Sequence, residues 1–388
     1  MHPGITLASA LLLAGLPGAV PAADAGSQAS NNTFNPAVAL ILSGQYASFS
    51  NDPANYTISG ISRAEETDPG TAGLGIGESE LTMSANIDNQ YYGEFTTSLA
   101  ADNSVAIEQA FFQTLNLPAG LTAQAGRFKS GFGYTNSQHS HTWDFVDAPL
   151  VYRALMGTQY ADDGVQLRWL APTDRFLEIG GEAMRGDGYP AGGAAQKGLG
   201  ACTVFAHTGG DVGTGSSWRA GVSYLAARAE NRESGDPTSP DTFTGNSDIV
   251  GADFVWKWAP KRNSYRKNLK IQGEILQRHE TGEFNASTYD ARQTGWYLQG
   301  AYQFVPRWRV GLRYDWLKVD DPGPVFSGTT LDPGGHMPQR ASVMVDYTNS
   351  EFSRLRLQYN IDDSSAVRDQ QIFLQYIMSM GAHGAHTF

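Results

Sequence analysis

The sequence predicts an all-β protein, a closed antiparallel transmembrane β-barrel of about sixteen strands. Three observations predict it. Apolar and polar residues alternate with a period of two along most of the chain. No run of eighteen apolar residues follows the N-terminal segment, so no transmembrane helix is available. Short and mostly longer connections alternate, as they do when tight turns lie on one rim of a barrel and loops on the other.

The alternation is clearest over Trp308–Trp316. Trp308, Val310, Leu312, Tyr314 and Trp316 interleave with Arg309, Gly311, Arg313 and Asp315. A strand sends successive side chains to opposite faces, so one face is apolar and the other polar. The same pattern sets Trp296, Leu298, Tyr302 and Phe304 against Tyr297, Gln299 and Gln303. It sets Leu355, Leu357, Tyr359 and Ile361 against Arg354, Arg356, Gln358 and Asn360. It recurs around Leu81–Ile87, Val165–Trp169, Trp218–Tyr224 and Phe254–Trp258. A soluble sandwich also alternates. Trp and Tyr near the strand ends, however, match the aromatic girdles of a lipid-facing surface, and several charges per polar face match a water-filled lumen.

The sixteen strand cores begin near Ala37, Glu78, Tyr91, Val105, Leu121, Gly164, Arg175, Ala201, Trp218, Asp248, Asn268, Gly295, Trp308, Arg340, Arg354 and Gln370. Tight connections are expected at Asp88-Asn89, Asn116–Gly120, Ala171–Asp174, Val305–Arg307 and Asn349–Glu351. Long ones are expected at Ser50–Gly75, Gly131–Asp162, Gly186–Gly198, Glu230–Gly245 and Asp320–Pro338. An even strand count places both termini on the short-turn rim. That asymmetry is the arrangement of bacterial outer-membrane barrels in Gram-negative cells, with short periplasmic turns and long extracellular loops.

The ends fit this setting. Ile5–Leu16 is an apolar stretch of signal-peptide length, and Val20-Pro21-Ala22 offers a cleavage point after Ala22. Residues 1–22 therefore read as a signal peptide, 23–35 as a short periplasmic lead-in, and 36–388 as the barrel. The signal's first residues are atypical, with His2 and no Lys or Arg. The last strand keeps one parity through Ile372, Leu374, Tyr376, Met378, Met380 and Ala382 to Phe388. Charged residues make up 17 % of the chain, below the usual quarter of a soluble domain, and the net charge of -12 argues against nucleic acid as a partner. A single cysteine, Cys202, allows no internal disulfide, which leaves stability to barrel closure.

The connection Gly131–Asp162 is the longest, and a barrel of this size is an open pore unless something narrows it. This loop is therefore the candidate constriction, an external lid being the other reading. It carries Asp144, Asp147 and Arg153. Lumen-facing candidates on the strands are Glu80, Glu94 and Arg168, with Arg309, Arg313, Arg354 and Arg356 late in the chain. Glu108, Glu178 and Glu182 join the early acidic set, and Arg127 and Lys129 interrupt it. Either acidic and basic walls face each other across the pore and set up a transverse field, or these charges pair locally. His139, His141 and Asp144 combine imidazole and carboxylate groups suited to zinc, since on an extended backbone a His-x-His pair points both rings one way. His383 and His386 have opposite parity and are poorer candidates. No G-x-S-x-G, H-E-x-x-H or P-loop motif occurs, and Ser140 points away from its flanking histidines on extended chain, so no enzymatic activity is expected.

Several segments are familiar. They are Phe34–Leu42, Tyr46–Tyr56, Trp143–Ala154, Gly164–Asp174, Phe254–Pro260 and Phe373–Ser379. Together they resemble a proteobacterial family of porin-like outer-membrane proteins, often labelled TonB-dependent or zinc-regulated TonB-dependent outer-membrane receptors. TonB-dependent receptors carry an N-terminal plug inside a larger barrel. Here Ala23–Asn35 at most precedes the first strand, so the barrel is expected to lack one. The resemblance implies a porin whose third long loop folds inward, in contact with outer-membrane lipid. It also implies delivery by the barrel-assembly machinery, which reads a C-terminal aromatic such as Phe388, and homotrimeric assembly by analogy with general porins. The expected function is passive diffusion of small hydrophilic solutes or ions. The alternatives are a zinc-linked receptor or metal-uptake barrel using the His139/His141 loop, and a non-conducting structural or adhesive barrel.

Overall fold

The computed structural model describes residues 36–62, 64, 67–100, 104–193, 198–234, 240–260 and 263–381. The expected signal peptide, the lead-in, His383, His386 and Phe388 lie outside the described residues. Among the described residues, seventeen strands, one α-helix and several 3-10 turns make up the regular structure. The strands are β1 (Ala37–Phe49), β2 (Gly73–Ile76), β3 (Ser79–Asn86), β4 (Tyr91–Leu99), β5 (Val105–Thr114), β6 (Leu121–Lys129), β7 (Ala161–Leu170), β8 (Phe176–Met184) and β9 (Ala201–Val212). They continue with β10 (Ser216–Ser234), β11 (Asp241–Trp258), β12 (Asn268–Phe284), β13 (Ser287–Val305), β14 (Trp308–Val319), β15 (Gln339–Ser350), β16 (Ser353–Asp363) and β17 (Asp369–Gly381). The helix α1 is Leu150–Met156.

Each strand pairs antiparallel with its neighbours, and β17 closes on β1 from Ala39↔Gly381 to Phe49↔Gln371. The wall has sixteen strands, because β2 and β3 are two pieces of one. They lie end to end along β1, pairing Gly44↔Ile76 and Ile41↔Glu80, with Gly77 and Glu78 bulged out between them. Closure gives every strand two neighbours around the barrel, which is what a sheet needs to cross lipid.

The period-two pattern sorts the faces as the sequence predicts. On β14, Leu312 is 68 % exposed on the outside while Asp315 is fully buried within. Trp296 and Trp316 meet at one end of the outer belt and Trp308 stacks near Tyr347 at the other. Trp308 and Trp316 are eight residues apart, or roughly 27 Å along the strand.

Two strand starts differ from expectation. The strands β11 and β13 begin at Asp241 and Ser287, seven and eight residues before the expected Asp248 and Gly295. Most of the expected loop Glu230–Gly245 is thus strand. The strands β10–β13 run past the membrane as an extended hairpin wall. A two-residue turn at Asn285-Ala286 joins β12 to β13, both residues at positive φ as a twisted hairpin turn demands.

Leu312 sits near the middle of β14, on the lipid side. Leu312→Arg is expected to destabilise the barrel by about 2–4 kcal/mol. Urea titration of protein folded into lipid vesicles checks this.

Candidate functional site

The loop between β6 and β7, residues 130–160, runs into the lumen rather than over it. Its deepest element is α1, whose sequence is apolar almost all round. Such a helix has no face for water. Leu150, Val151, Tyr152, Ala154, Leu155 and Met156 are all fully buried. Asp315 Oδ1 accepts from the Leu150 backbone N–H at 2.7 Å, and Gly157 ends the helix at φ 63°. Around α1 pack wall residues Leu225, Ile249, Leu276 and Leu317, with Phe128 and Phe132. Residues Tyr56, Ile58 and Ile61 of the loop after β1 join the same core. Much of the lumen is thus a hydrophobic core inside a membrane barrel.

Charge fixes the loop's other contacts. Asp147 accepts from Arg313 Nη2 at 2.6 Å, Arg340 Nη1 at 2.8 Å and Gln358 Nε2 at 2.8 Å. Asp144 lies 3.0 Å from Lys270 Nζ and 3.1 Å from Arg309 Nη1. Arg354 and Arg356 donate to the carbonyls of His141 and Trp143 at 2.6 and 2.7 Å. On β12, Glu274 accepts from the Tyr134 and Thr135 backbone N–H groups and from the Tyr152 and Tyr297 hydroxyls, at 2.6–3.0 Å. Against the upward push of burial, Arg313 and Arg340 hold the Asp147 carboxyl well below the usual carboxylate range. Lys270 and Arg309 do the same for Asp144.

These contacts correct the transverse-field reading. Arg309, Arg313, Arg354 and Arg356 do not face open water across a pore, because the loop lies against them. Arg309 also pairs with Asp346 at 2.8 Å, and Arg313 with Asp315 at 3.0 Å. The late basic wall is neutralised locally. Arg153 is placed differently too. It sits on α1, donates to the Thr67 carbonyl at 3.1 Å and lies 4.8 Å over the Tyr56 ring, so it ties two loops together. Arg127 points outward and pairs with Asp163 at 2.7 Å.

Water keeps the other side of the lumen. A cavity of about 490 Å³ lies between the loop and the β4–β11 wall. Its charged lining is Glu94, Lys129, Arg168, Glu178, Arg219 and Lys257. Glu94 accepts from the Tyr92 hydroxyl at 2.6 Å, and Arg168 reaches Gln113 at 3.2 Å and Glu178 at 3.8 Å. Tyr134, Phe176, Phe205 and Trp218 supply aromatic surface. Of the charged strand residues singled out from sequence, Glu94, Lys129, Arg168 and Glu178 line this cavity.

Where the cavity meets the loop, a cluster of acids and imidazoles gathers. Glu80 Oε1 lies 3.0 Å from His141 Nδ1 and Glu80 Oε2 2.9 Å from His139 Nδ1. Lys129 Nζ lies 3.1 Å from Glu108 Oε2. Ser140 donates a short hydrogen bond to Glu78. Both strands bulge here. Glu78 lies in the break between β2 and β3. Glu108 is the unpaired residue of a bulge on β5, since Thr96 faces Gln109 and Thr97 faces Ile107. Bulges re-aim side chains, and these bring Glu78, Glu80 and Glu108 within 4.8 Å of one another. Asp144 does not join the two histidines as expected, because Lys270 and Arg309 hold it, and Glu80 takes its place. Nor is the histidine backbone extended throughout. Ser140–Thr142 forms a 3-10 turn that sets the rings 5.5 Å apart. Burial pushes the His141 imidazole below its usual value, with Glu80 opposing.

The strand–loop seam depends on Lys270, Glu274, Arg340, Asp315 and Asp346, which sequence reasoning did not single out. Asp315 shares inward parity with Arg313 on β14, and Asp346 and Arg340 stand opposite Arg309 and Asp315 on β15, so strand parity was the available signal. Glu274 gave none, because its partners are loop backbone N–H groups far away in sequence.

Comparison with known proteins bears on the fold. No protein-family model matches the chain. An uncharacterized protein of Aquifex aeolicus (strain VF5) is 29 % identical over 340 residues, covering 81 % of this chain and 70 % of that protein. Among solved structures, the outer membrane channel DcaP of Acinetobacter baumannii superposes with a TM-score of 0.60 at 13 % identity, over 89 % of this chain and 97 % of that one. The anion-selective porin from Comamonas acidovorans gives 0.57 at 10 % identity, over 89 % and 99 %. A trimer form of OmpT, an outer membrane protein of Vibrio cholerae, gives 0.56 at 9 %, over 89 % and 99 %. The chain has the closed sixteen-stranded fold of outer-membrane porins. Its apolar outer belt fits such a membrane. No plug domain is present among the described residues, and these likenesses lend no support to a TonB-dependent-receptor label.

Two outcomes are expected at the seam. Asp147→Asn leaves Arg313 and Arg340 without their loop counter-charge and is expected to cost about 3–5 kcal/mol, read as a lower urea midpoint and as new protease cleavage within residues 130–160. The second concerns pH. A carboxyl held low in the folded state contributes stability that is complete above its unfolded value of about 4 and fades only below it. The midpoint gap between the native chain and Asp147→Asn is therefore expected to stay constant from pH 8 to about pH 5 and to narrow below about pH 4, where protonation starts to reach the carboxyl in the unfolded chain.

Proposed function

We propose that this protein is a diffusion porin of the bacterial outer membrane, passing small hydrophilic solutes or ions. The observation that carries this reading is the charged cavity beside the docked loop. A closed barrel without a route for water has no use for Glu94, Lys129, Arg168, Glu178, Arg219 and Lys257 around an internal volume of about 490 Å³. The loop plays the part of the constriction. At its edge His139 meets Glu80 and Lys129 of the wall beside the cavity, and Asp144, Asp147, Arg309, Arg313, Arg354 and Arg356 hold the loop in place. Solute size is selected by the gap and polarity by its charges. The reading includes no enzymatic step and no TonB-driven uptake. A trimeric form is described for the Vibrio cholerae protein, and homotrimeric assembly is proposed here on that analogy. Barrel-assembly machinery and outer-membrane lipid complete the proposed partners.

Planar-bilayer recording tests the reading. Stepwise openings are expected from the purified barrel, with larger steps from Asp147→Asn as the loop loosens. Silence at many inserted copies of both would leave a non-conducting structural barrel in its place.

A further inference from the structure

We propose that Glu80, His139 and His141 form a binding site for one divalent transition metal of the zinc class. The site would bridge the constriction loop to the barrel wall. Its three ligand atoms, one carboxylate oxygen and two imidazole nitrogens, lie within 4.8 Å of one another. The contacts of 2.9 and 3.0 Å between Glu80 and the two Nδ1 atoms are close to the ligand spacing of tetrahedral zinc. With bonds of about 2.0–2.1 Å, that spacing is about 3.3 Å; because His139 faces Oε2 and His141 faces Oε1, a chelating or slightly turned carboxylate would bring both rings onto one ion.

The partners of these atoms point the same way. Glu80 is 1 % exposed, yet its Oε2 accepts no hydrogen bond among the described residues, although His139 Nδ1 is 2.9 Å away. Neighbouring Glu108 Oε2 lies 3.1 Å from Lys129 Nζ and 3.7 Å from His139 Nδ1. Three carboxylates, Glu78, Glu80 and Glu108, share this corner with one ammonium, Lys129, whose Nζ lies 3.4 Å from His139 Nδ1. A divalent ion would offset the excess negative charge and move Lys129 toward Glu108, its partner at 3.1 Å.

Binding is balanced in protons. Each Nδ1 must offer its lone pair, so the ring proton moves to Nε2. Gln109 faces His139 Nε2 at 3.0 Å, and rotation of its amide turns the carbonyl oxygen toward that N–H. An outer partner of this kind fixes a ligand's tautomer. His139 also lines the cavity, so the ion is reachable from the lumen and its fourth position is left to water or a passing solute. Because two ligands lie on the loop and the third on β3, an ion here would pin the loop to a strand that the Asp144 and Asp147 contacts do not reach.

The test is zinc binding by the folded full-length barrel in detergent, read by isothermal titration and by metal content after dialysis. The expected result is one zinc per chain. His139→Ala, His141→Ala and Glu80→Gln are each expected to weaken it at least tenfold. His279→Ala, whose ring pairs with Asp290 away from the lumen, is expected to leave it unchanged. Cobalt(II) in place of zinc is expected to show the intense visible absorption of a four-coordinate ion. Heat-shifted gel mobility verifies that each variant has folded. Absence of stoichiometric zinc in the native chain, or full affinity in the folded His139→Ala/His141→Ala variant, would overturn the proposal. Neither result touches the porin reading, which conductance tests separately.

Discussion

The clamp of Arg313 and Arg340 on Asp147 sets what kind of barrel this is. A sixteen-stranded wall encloses more space than its own inward side chains fill. Something must occupy that space, and a loop placed there must find partners for every polar group it brings. Asp147 finds two guanidinium groups and two side-chain amides, and Asp144 finds Lys270 and Arg309. The loop's own carbonyls are met by Arg354 and Arg356. Charges removed from water are costly unless paired and hydrogen-bonded, which is why the contacts are many and the geometry is narrow.

With the loop's polar groups held there, α1 can bury its apolar surface. Leu150–Met156 would be a poor helix in water, being short and apolar all round. Against Leu225, Ile249, Leu276 and Leu317 it fills the lumen as a side chain fills a core. The barrel is therefore asymmetric inside. One side is packed and neutralised, and the other keeps a charged cavity. Whatever crosses the barrel crosses on that second side, past the two bulges that re-aim Glu78 and Glu108.

Much of the wall was legible from sequence because its signal is local. The parity that puts Leu312 in lipid and Asp315 in the lumen can be read from nine residues, and most strand starts follow from it. The places where reading failed are the places where local rules stop. The strands β11 and β13 start early because hairpin pairing continues past the membrane, where alternation with apolar residues is no longer required. Arg127 is an exception: it faces outward because it shares the parity of Leu121, Ala123 and Ala125, with Asp163 opposite it on β7. Asp144 leaves the histidines because Lys270 and Arg309, more than a hundred residues later, attract it more strongly.

By itself the sequence determined a closed, even-stranded barrel, which face of each strand meets lipid, and which loop is long enough to enter the lumen. These follow from side-chain periodicity and turn chemistry, which act over a few residues. Only the tertiary structure decided that the late arginines serve the loop instead of the solute, that Glu80 completes the pair His139 and His141, and that the open volume lies against β4–β11. Those outcomes depend on which charges meet across the lumen, and electrostatic pairing between distant strands leaves no trace in local pattern.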